Sequence, residues 1–317
     1  VVMKKEYKIG MVGLGSIGCR HLQNIRDVLQ ERGNLYTIDL IRSGKGKELS
    51  GEIAQYVNQI FHLYGPISND YNVIFITNPT YLHFKTIQRF VSKTDHMFIE
   101  KPLFSKINIS LNELNLKSDS VYYVACPLRY TEVIQYLKYQ CDLKKVYCAR
   151  VICSSYLPEW RPNQDYRNVY CAHEGQGGGV SLDLIHEWDY LCYLFGQPET
   201  VINVRGKFSE LEITGDDLSL YLAKYSGMAV EVHLDYFGRK AIREIQLFSP
   251  EDTIVGDLFN SEIRYLKSGG VVSFKEKRDD FQRKEIAHFF DIVERVAVND
   301  NDVPTAFRTL QIAMEGK

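Results

Sequence analysis

Three glycines within six residues, Gly13-Leu14-Gly15-Ser16-Ile17-Gly18, follow the apolar run at residues 9–12. After them Ile17, His21, Leu22, Ile25, Val28 and Leu29 recur at helical spacing. A strand that passes into a helix through such a loop constrains the fold more than any other feature of the chain. The first glycine permits the tight turn, the second lets a ligand approach the backbone, and the third lets helix and strand pack closely. The helix start offers free N–H groups and the positive end of its dipole, which suits a pyrophosphate. The motif predicts dinucleotide binding, with Gly13, Gly15, Ser16, Ile17 and Gly18 at the ligand.

The same rhythm continues to residue 125. Apolar segments at residues 35–41, 73–77, 97–99 and 121–125 read as strands buried on both faces. Helical spacing recurs in Leu49, Ile53, Tyr56, Val57 and Ile60, and again in Ile107, Leu111 and Leu114. This alternation predicts an α/β unit with a doubly wound parallel sheet. From residue 126 the pattern changes. Strands are expected at 145–155, 201–208, 218–225, 228–237, 244–249, 262–267 and 271–275, with Ser226-Gly227 and Ser268-Gly269-Gly270 as hairpin turns. Helices are expected at 131–140, 181–195 and 281–298. The reading is two domains: residues 1–125, binding a dinucleotide, and residues 126–317, an α+β domain with a largely antiparallel open sheet.

Composition narrows the function. A length of 317 residues suits two domains of about 150. Lys plus Arg number 38 against 40 acidic residues, a net charge of -2, which argues against a nucleic-acid partner. Seven cysteines without a C-x-x-C pair suit a reducing cytoplasm, and eight histidines without metal-ligand spacing predict no metal. No apolar run reaches the ~18 residues of a spanning helix, so no membrane partner is expected. Lys4 and Lys5 before residues 9–18 and Cys19 imitate a secretion signal, but four glycines interrupt the run and no cleavage site follows.

The second strand bears on which dinucleotide is taken. An acidic residue at its end would favour NAD. Here Asp39 lies inside the strand, Arg42 and Ser43 stand at its end, and Lys45 follows. A guanidinium and a hydroxyl suit a 2′-phosphate, so NADP is favoured over NAD. The alternative makes Arg42 and Lys45 ordinary solvated charges.

Four segments now combine: residues 13–24 (GLGSIGCRHLQN), Asn78-Pro79, Glu100-Lys101-Pro102, and residues 177–196 (GGGVSLDLIHEWDYLCYLFG). Their order and spacing resemble the glucose-fructose oxidoreductase / inositol 2-dehydrogenase / MocA-like (Gfo/Idh/MocA) family over essentially the whole chain. Residues 156–162 (YLPEWRP) with Asp165-Tyr166-Arg167 look like a branch of sugar-modifying members. The resemblance implies a Rossmann domain, an oxidoreductase activity and a homodimer or homotetramer formed through the C-terminal sheet. It also implies that Thr77, Asn78, Pro79, His83, Glu100 and Lys101 bind the cofactor near its nicotinamide end.

Two clusters carry the expected chemistry. Lys101 stands at the carboxyl end of a buried strand, where ligands sit in open α/β sheets. Partial burial beside a cationic ring would lower its pKa and let it hydrogen-bond a reacting hydroxyl. Pro102 holds Lys101 extended and is a candidate for a cis bond. Asp183, His186, Tyr190 and Tyr193 fall on one face of the expected helix at 181–195, with Leu184, Trp188, Leu191 and Phe195 beside them as its apolar stripe. His186 is then a general acid/base, one turn from the Asp183 carboxylate that orients it. The commoner family spacing puts the acid four residues before the histidine; here it is three, with Leu182 at the fourth. Asp189 is expected to be structural.

Arg129 has two readings, a substrate oxyanion site or an interdomain salt bridge. Trp160, Arg161, Tyr166 and Arg167 form a loop suited to a sugar or nucleotide-sugar, or else a packed surface loop. The expected activity is NAD(P)-dependent hydride transfer at a hydroxyl or keto carbon of a sugar, nucleotide-sugar or polyol. Substrate would sit between Lys101 and the Asp183/His186 helix. The alternatives are a non-catalytic dinucleotide-binding regulator and a linear-tetrapyrrole or dihydrodiol reductase independent of His186.

Overall fold

The computed structural model describes residues 4–44, 48–67 and 70–315, so Lys45 lies outside the described residues. Its first sheet contains β1 (Glu6–Val12), β2 (Leu35–Arg42), β3 (Gln59–His62), β4 (Tyr71–Ile76), β5 (Thr94–Ile99) and β6 (Tyr122–Val124). These strands are all parallel, in the order β3-β2-β1-β4-β5-β6. Ile9, Met11, Val73, Phe75, Met97 and Ile99 are fully buried, as a sheet covered on both faces requires. The connections include α1 (Ser16–Glu31), α2 (Gly51–Ala54) and α3 (His83–Phe90).

Two local expectations for this unit need correction, and one helix has no counterpart among them. Helical spacing at 49–60 yields only α2, followed by the edge strand β3. Ile53, Tyr56 and Val57 are only partly covered and Ile60 is 59% exposed, so a longer helix would have had no core to bury against. Asn58 instead ties the chain to β2, its N–H to the Ile38 carbonyl and its amide to Asp39. Residues 107–114 likewise give a single 3₁₀ turn, Leu111–Leu114. Conversely, α3 went unread because its apolar stripe is short and interrupted by Thr86, although Ile87 and Phe90 are fully buried.

The second sheet contains β7 (Cys148–Tyr156), β8 (Thr200–Gly206), β9 (Leu218–Tyr225), β10 (Met228–Asp235), β11 (Phe237–Phe248), β12 (Thr253–Asp257), β13 (Glu262–Tyr265) and β14 (Val271–Ser273). Its order is β14-β13-β12-β11-β7-β10-β9-β8, antiparallel except for the β7–β10 pair. Ser226-Gly227 closes the β9–β10 hairpin, and Ser268-Gly269-Gly270 connects β13 to β14. The sequence reading passed over β12, whose Gly256 weakens the strand signal. That glycine is needed, because a Cβ there would lie 2.9 Å from Val133 on α4 (Glu132–Gln140). The expected helix at 181–195 is two helices, α5 (Val180–Asp183) and α6 (His186–Phe195). Leu184 leaves the helical path between them, and Ile185 N–H turns back to the Leu182 carbonyl. Trp188 and Leu191 are fully buried, and the Trp188 ring meets Tyr221 of β9 edge-on at 5.2 Å.

Two compact units result, Val1–Ala125 with Gln282–Ala306, and Cys126–Phe281 with Phe307–Lys317. A single division at residue 125 therefore misses a return of the chain. Within α7 (Asp280–Val293) it enters the first unit, and within α8 (Val303–Glu315) it leaves again. The reason is aromatic packing. Phe289 meets Phe75 and Phe98 edge-on at 5.6 and 5.3 Å, and Phe290 meets Tyr7 at 5.2 Å. Removing these rings would expose one face of the parallel sheet.

Candidate active site

Parallel strands bring their carboxyl ends to one edge. Val12 pairs with Ile76 and Ile76 with Ile99, so the residues that follow β1, β4 and β5 emerge side by side. They are the Gly13–Gly18 loop, Thr77-Asn78-Pro79 and Glu100-Lys101. Gly13 has φ +91°, and a Cβ on it would lie 2.8 Å from the Asn78 nitrogen. Thr77 locks this approach by donating its hydroxyl to the carbonyls of Val12 (3.2 Å) and Gly13 (3.0 Å). A Cβ on Gly18 would meet the same hydroxyl at 2.9 Å, whereas Gly15 faces open space. The first helical bond of α1 runs from Cys19 N–H to Gly15 O, leaving the N–H groups of Ser16, Ile17 and Gly18 ahead of the ladder. A cradle open at Gly15 and lined by main-chain donors fits the pyrophosphate of a dinucleotide.

At the end of β2, Arg42 and Ser43 are both half-buried. The Ser43 carbonyl lies 3.1 Å from the ring nitrogen Nε2 of His62 at the end of β3. Asp39 is fully buried and accepts from Asn58 (3.0 Å) and the Tyr71 hydroxyl (3.2 Å). It is a structural carboxylate of the strand interior, which leaves Arg42 and Ser43 as the residues that terminate β2.

Glu100 is buried and both of its oxygens are engaged. One accepts from His21 Nε2 on α1, and the other accepts the Lys101 N–H at 3.0 Å. Burial by itself would raise the Glu100 pKa; the His21 hydrogen bond and charge, helped by Lys101, override it and hold the carboxyl below its ordinary range. Lys101 is half-exposed, and the Lys101–Pro102 peptide is cis. His83 sits behind this edge, 1% exposed, its ring nitrogens 2.9 Å from the Asn78 carbonyl and 3.0 Å from that of Leu103. Burial pushes its imidazole pKa down, against those two carbonyls and the Glu100 charge. His83 therefore braces the 77–79 and 101–103 turns from inside, a different role from the ligand contact expected of it. Asn78 donates to Thr86 at 2.9 Å, while its Oδ1 is buried with no hydrogen-bond partner among the described residues.

In the second unit the triple glycine has a steric cause. A Cβ on Gly178 would lie 2.3 Å from the Tyr170 carbonyl, and one on Gly179 would lie 2.3 Å from Asp216. Asp216 then starts α5, its main-chain carbonyl taking Val180 N–H and its carboxylate taking Ser181 N–H. This delivers Asp183, 6% exposed, between two tyrosines. Tyr170 donates to Oδ1 at 2.8 Å and Tyr236 donates to Oδ2 at 3.2 Å. The Asp183 charge and burial push the Tyr170 hydroxyl far up; burial and the same charge do so for Tyr236. Both phenols thus stay protonated donors and Asp183 stays an acceptor. His186, half-exposed, begins α6 just beyond the break, so one continuous face from Asp183 to Tyr193 does not form. Tyr190 is fully buried, whereas Tyr193 lies under the Arg129 guanidinium at 5.1 Å.

Arg129 holds a carboxylate of its own unit. It is 3% exposed and grips Asp189 with two hydrogen bonds of 2.9 and 2.7 Å, an ion pair inside the second unit. Asp189 is structural, as expected. In the 156–167 loop, Trp160 donates to Ser155 and meets Tyr236 edge-on at 5.3 Å, next to the Asp183 cluster. Arg161 is exposed, and Tyr166 accepts the Glu212 N–H. Arg167 is spent on Asp165 and Glu212, so its charge is already neutralised. Trp160, Arg161 and Tyr166 share a shallow pocket with Leu157 and Gln164.

His21, Tyr170, Asp216 and Tyr236 were not singled out from sequence. Sequence marks His21 only as a helix-face position; its place one turn into α1 and opposite Glu-Lys-Pro is the available signal. Nothing local marks Tyr236, which β10 and β11 bring to Asp183 across 53 residues.

Residues 7–115 match the model of an oxidoreductase family with an NAD-binding Rossmann fold. The chain is 24% identical over 268 residues to myo-inositol 2-dehydrogenase of Thermotoga maritima, covering 79% of this chain and 75% of that protein. Among solved structures it resembles UDP-N-acetylglucosamine 3-dehydrogenase from Acidithiobacillus ferrooxidans, with TM-score 0.72, 16% identity and coverage of 98% and 96%. It also resembles levoglucosan dehydrogenase in complex with NADH and levoglucosan, with TM-score 0.79, 16% identity and coverage of 98% and 95%. Among the described residues no helix is long and apolar enough to cross a membrane. Residues 7–115 thus match an oxidoreductase family with an NAD-binding Rossmann fold, and the chain as a whole shares the fold of these dehydrogenase structures.

Proposed function

We propose that this protein is a dehydrogenase or reductase of a sugar, nucleotide-sugar or polyol, with NADP favoured over NAD. The observation that carries the reading is the shared edge of the parallel sheet, where the Gly13–Gly18 cradle, Thr77-Asn78 and Lys101 emerge from neighbouring strands. A bound nicotinamide dinucleotide supplies the hydride donor or acceptor. Ser16, Ile17 and Gly18 N–H groups hold its pyrophosphate, and Arg42 with Ser43 faces the ribose end. Thr77, Asn78, Pro79 and Glu100 shape the nicotinamide end, with His83 bracing them.

Lys101 Nζ hydrogen-bonds the reacting oxygen and offsets negative charge as it develops there. His186 takes up or returns the hydroxyl proton. Asp183, which accepts from Tyr170 and Tyr236, places a carboxylate one turn from the imidazole. Trp160, Arg161 and Tyr166 form the sugar-facing surface, supported by their shared pocket. Carboxylates hold Arg129 and Arg167, Asp189 the first and Asp165 with Glu212 the second. Exposed Ile202, Val204 and Leu222 on neighbouring β8 and β9 support a homodimer or homotetramer through this sheet.

The test is a screen of sugars, nucleotide-sugars and polyols with either cofactor, followed at 340 nm. Lys101→Ala and His186→Ala should each lower kcat by about 100-fold while dinucleotide affinity changes only a few fold. Unchanged kcat in either variant removes that residue from the mechanism. Tight dinucleotide binding without any turnover selects a non-catalytic regulator instead.

A further inference from the structure

We propose that His21 is a positioning residue for Lys101, acting through the Glu100 carboxylate. The inference rests on Lys101 being the group that meets the reacting oxygen. His21 is fully buried on α1, five residues after the helix start that faces the pyrophosphate cradle. Its ring is wedged edge-on against Phe98 at 5.0 Å, with Phe75 at 6.4 Å, so Nε2 has a fixed direction. That nitrogen reaches one oxygen of Glu100, and because a carboxylate only accepts, Nε2 carries the proton. The second oxygen accepts the main-chain N–H of Lys101 at 3.0 Å. One carboxylate thus links the dinucleotide-binding helix to the backbone from which the lysine side chain departs.

The charged and titratable groups facing Glu100 are His21 from α1, Lys101 from its own segment and His83 from α3. His21 donates to the carboxylate from its side chain, and Lys101 from its main-chain N–H. A buried carboxylate without that donor takes up a proton more readily. Lys101 then loses its anionic neighbour. A side chain that merely filled space would produce none of this.

The experiment compares His21→Phe, which keeps the ring volume, with His21→Gln, whose amide places a donor near the Nε2 position. Reactivity of Lys101 in the purified full chain is read by limited acetic anhydride labelling and mass spectrometry at pH 7. In His21→Phe, Lys101 should label about threefold or more faster than in wild type. In His21→Gln it should stay near the wild-type rate. Should His21→Phe fail to fold, Glu100→Gln must show the same acceleration. Equal labelling of Lys101 in all variants, or equal acceleration in both His21 variants, overturns the proposal. With a substrate from the screen, His21→Phe should lower kcat more than it changes KM, and His21→Gln should recover much of the loss. Wild-type protein without turnover would sink the enzymatic reading alone, since the labelling reports on the His21–Glu100–Lys101 linkage independently.

Discussion

Arg129 and Asp189 form a two-point ion pair, guanidinium Nε and Nη2 against the two carboxylate oxygens, with both side chains almost wholly shielded from water. Removing one partner breaks a buried ion pair, which costs about 3–5 kcal/mol. Arg129→Met should therefore lower the urea midpoint sharply. The double variant Arg129→Met/Asp189→Leu should recover most of that loss, because it buries no lone charge. If Arg129→Met instead leaves stability intact and raises KM alone, the guanidinium serves substrate after all.

Gly13 touches Thr77 and Asn78 with no room for a side chain. Gly13→Ala places a Cβ 2.8 Å from a main-chain nitrogen at φ +91°. Backbone strain of this kind costs roughly 1–3 kcal/mol. The loop should shift, and NADPH should bind about tenfold or more weakly by fluorescence titration. Wild-type affinity would mean that the loop does not hold the dinucleotide.

Arg42 bears on the choice of cofactor. If its guanidinium meets a 2′-phosphate, Arg42→Ala should weaken NADPH by about 1.5–3 kcal/mol, the worth of a charge-assisted hydrogen bond, and leave NADH nearly unchanged. Equal affinity for both cofactors in wild type would make Arg42 a bystander.

Stability should fall with acid in two stages. The buried His83 ring resists protonation, whereas the unfolded chain accepts the proton near the ordinary value of 6.5. Its contribution is present above 6.5 and is lost as the pH drops below it. Glu100 acts in the same direction lower down, since the unfolded chain binds its proton near 4.5 and the folded chain only below that. Urea midpoints measured from pH 7.5 to 5 should decline in wild type and decline less in His83→Gln. Identical slopes would discount His83.

Much of this fold was legible because it depends on local pattern. Runs such as residues 9–12 and 73–77, buried on both faces, announce a parallel sheet, and a Gly-rich turn between strand and helix announces what binds there. Lys101 was equally legible, since Pro102 and the end of a buried strand are both written in sequence. Helix length was not. The apolar spacing at 49–60 is genuine, but a helix grows only where its stripe finds a surface, and none is present there. Nor was the return of residues 282–306, which depends on Phe289 and Phe290 finding Phe75, Phe98 and Tyr7 on the sheet. Partner choice among charges was the least legible. Arg129, Arg167 and Glu100 are ordinary ionisable residues in the chain, and each is assigned by whichever opposite group folding brings within 3 Å. Periodicity and turn chemistry act over a few residues, so sequence alone determined the sheet and its cradle. The pairing of Asp183 with Tyr236, and of His21 with Glu100, spans 53 and 79 residues and was decided only by the tertiary structure, because a buried charge must find a donor wherever the chain supplies one.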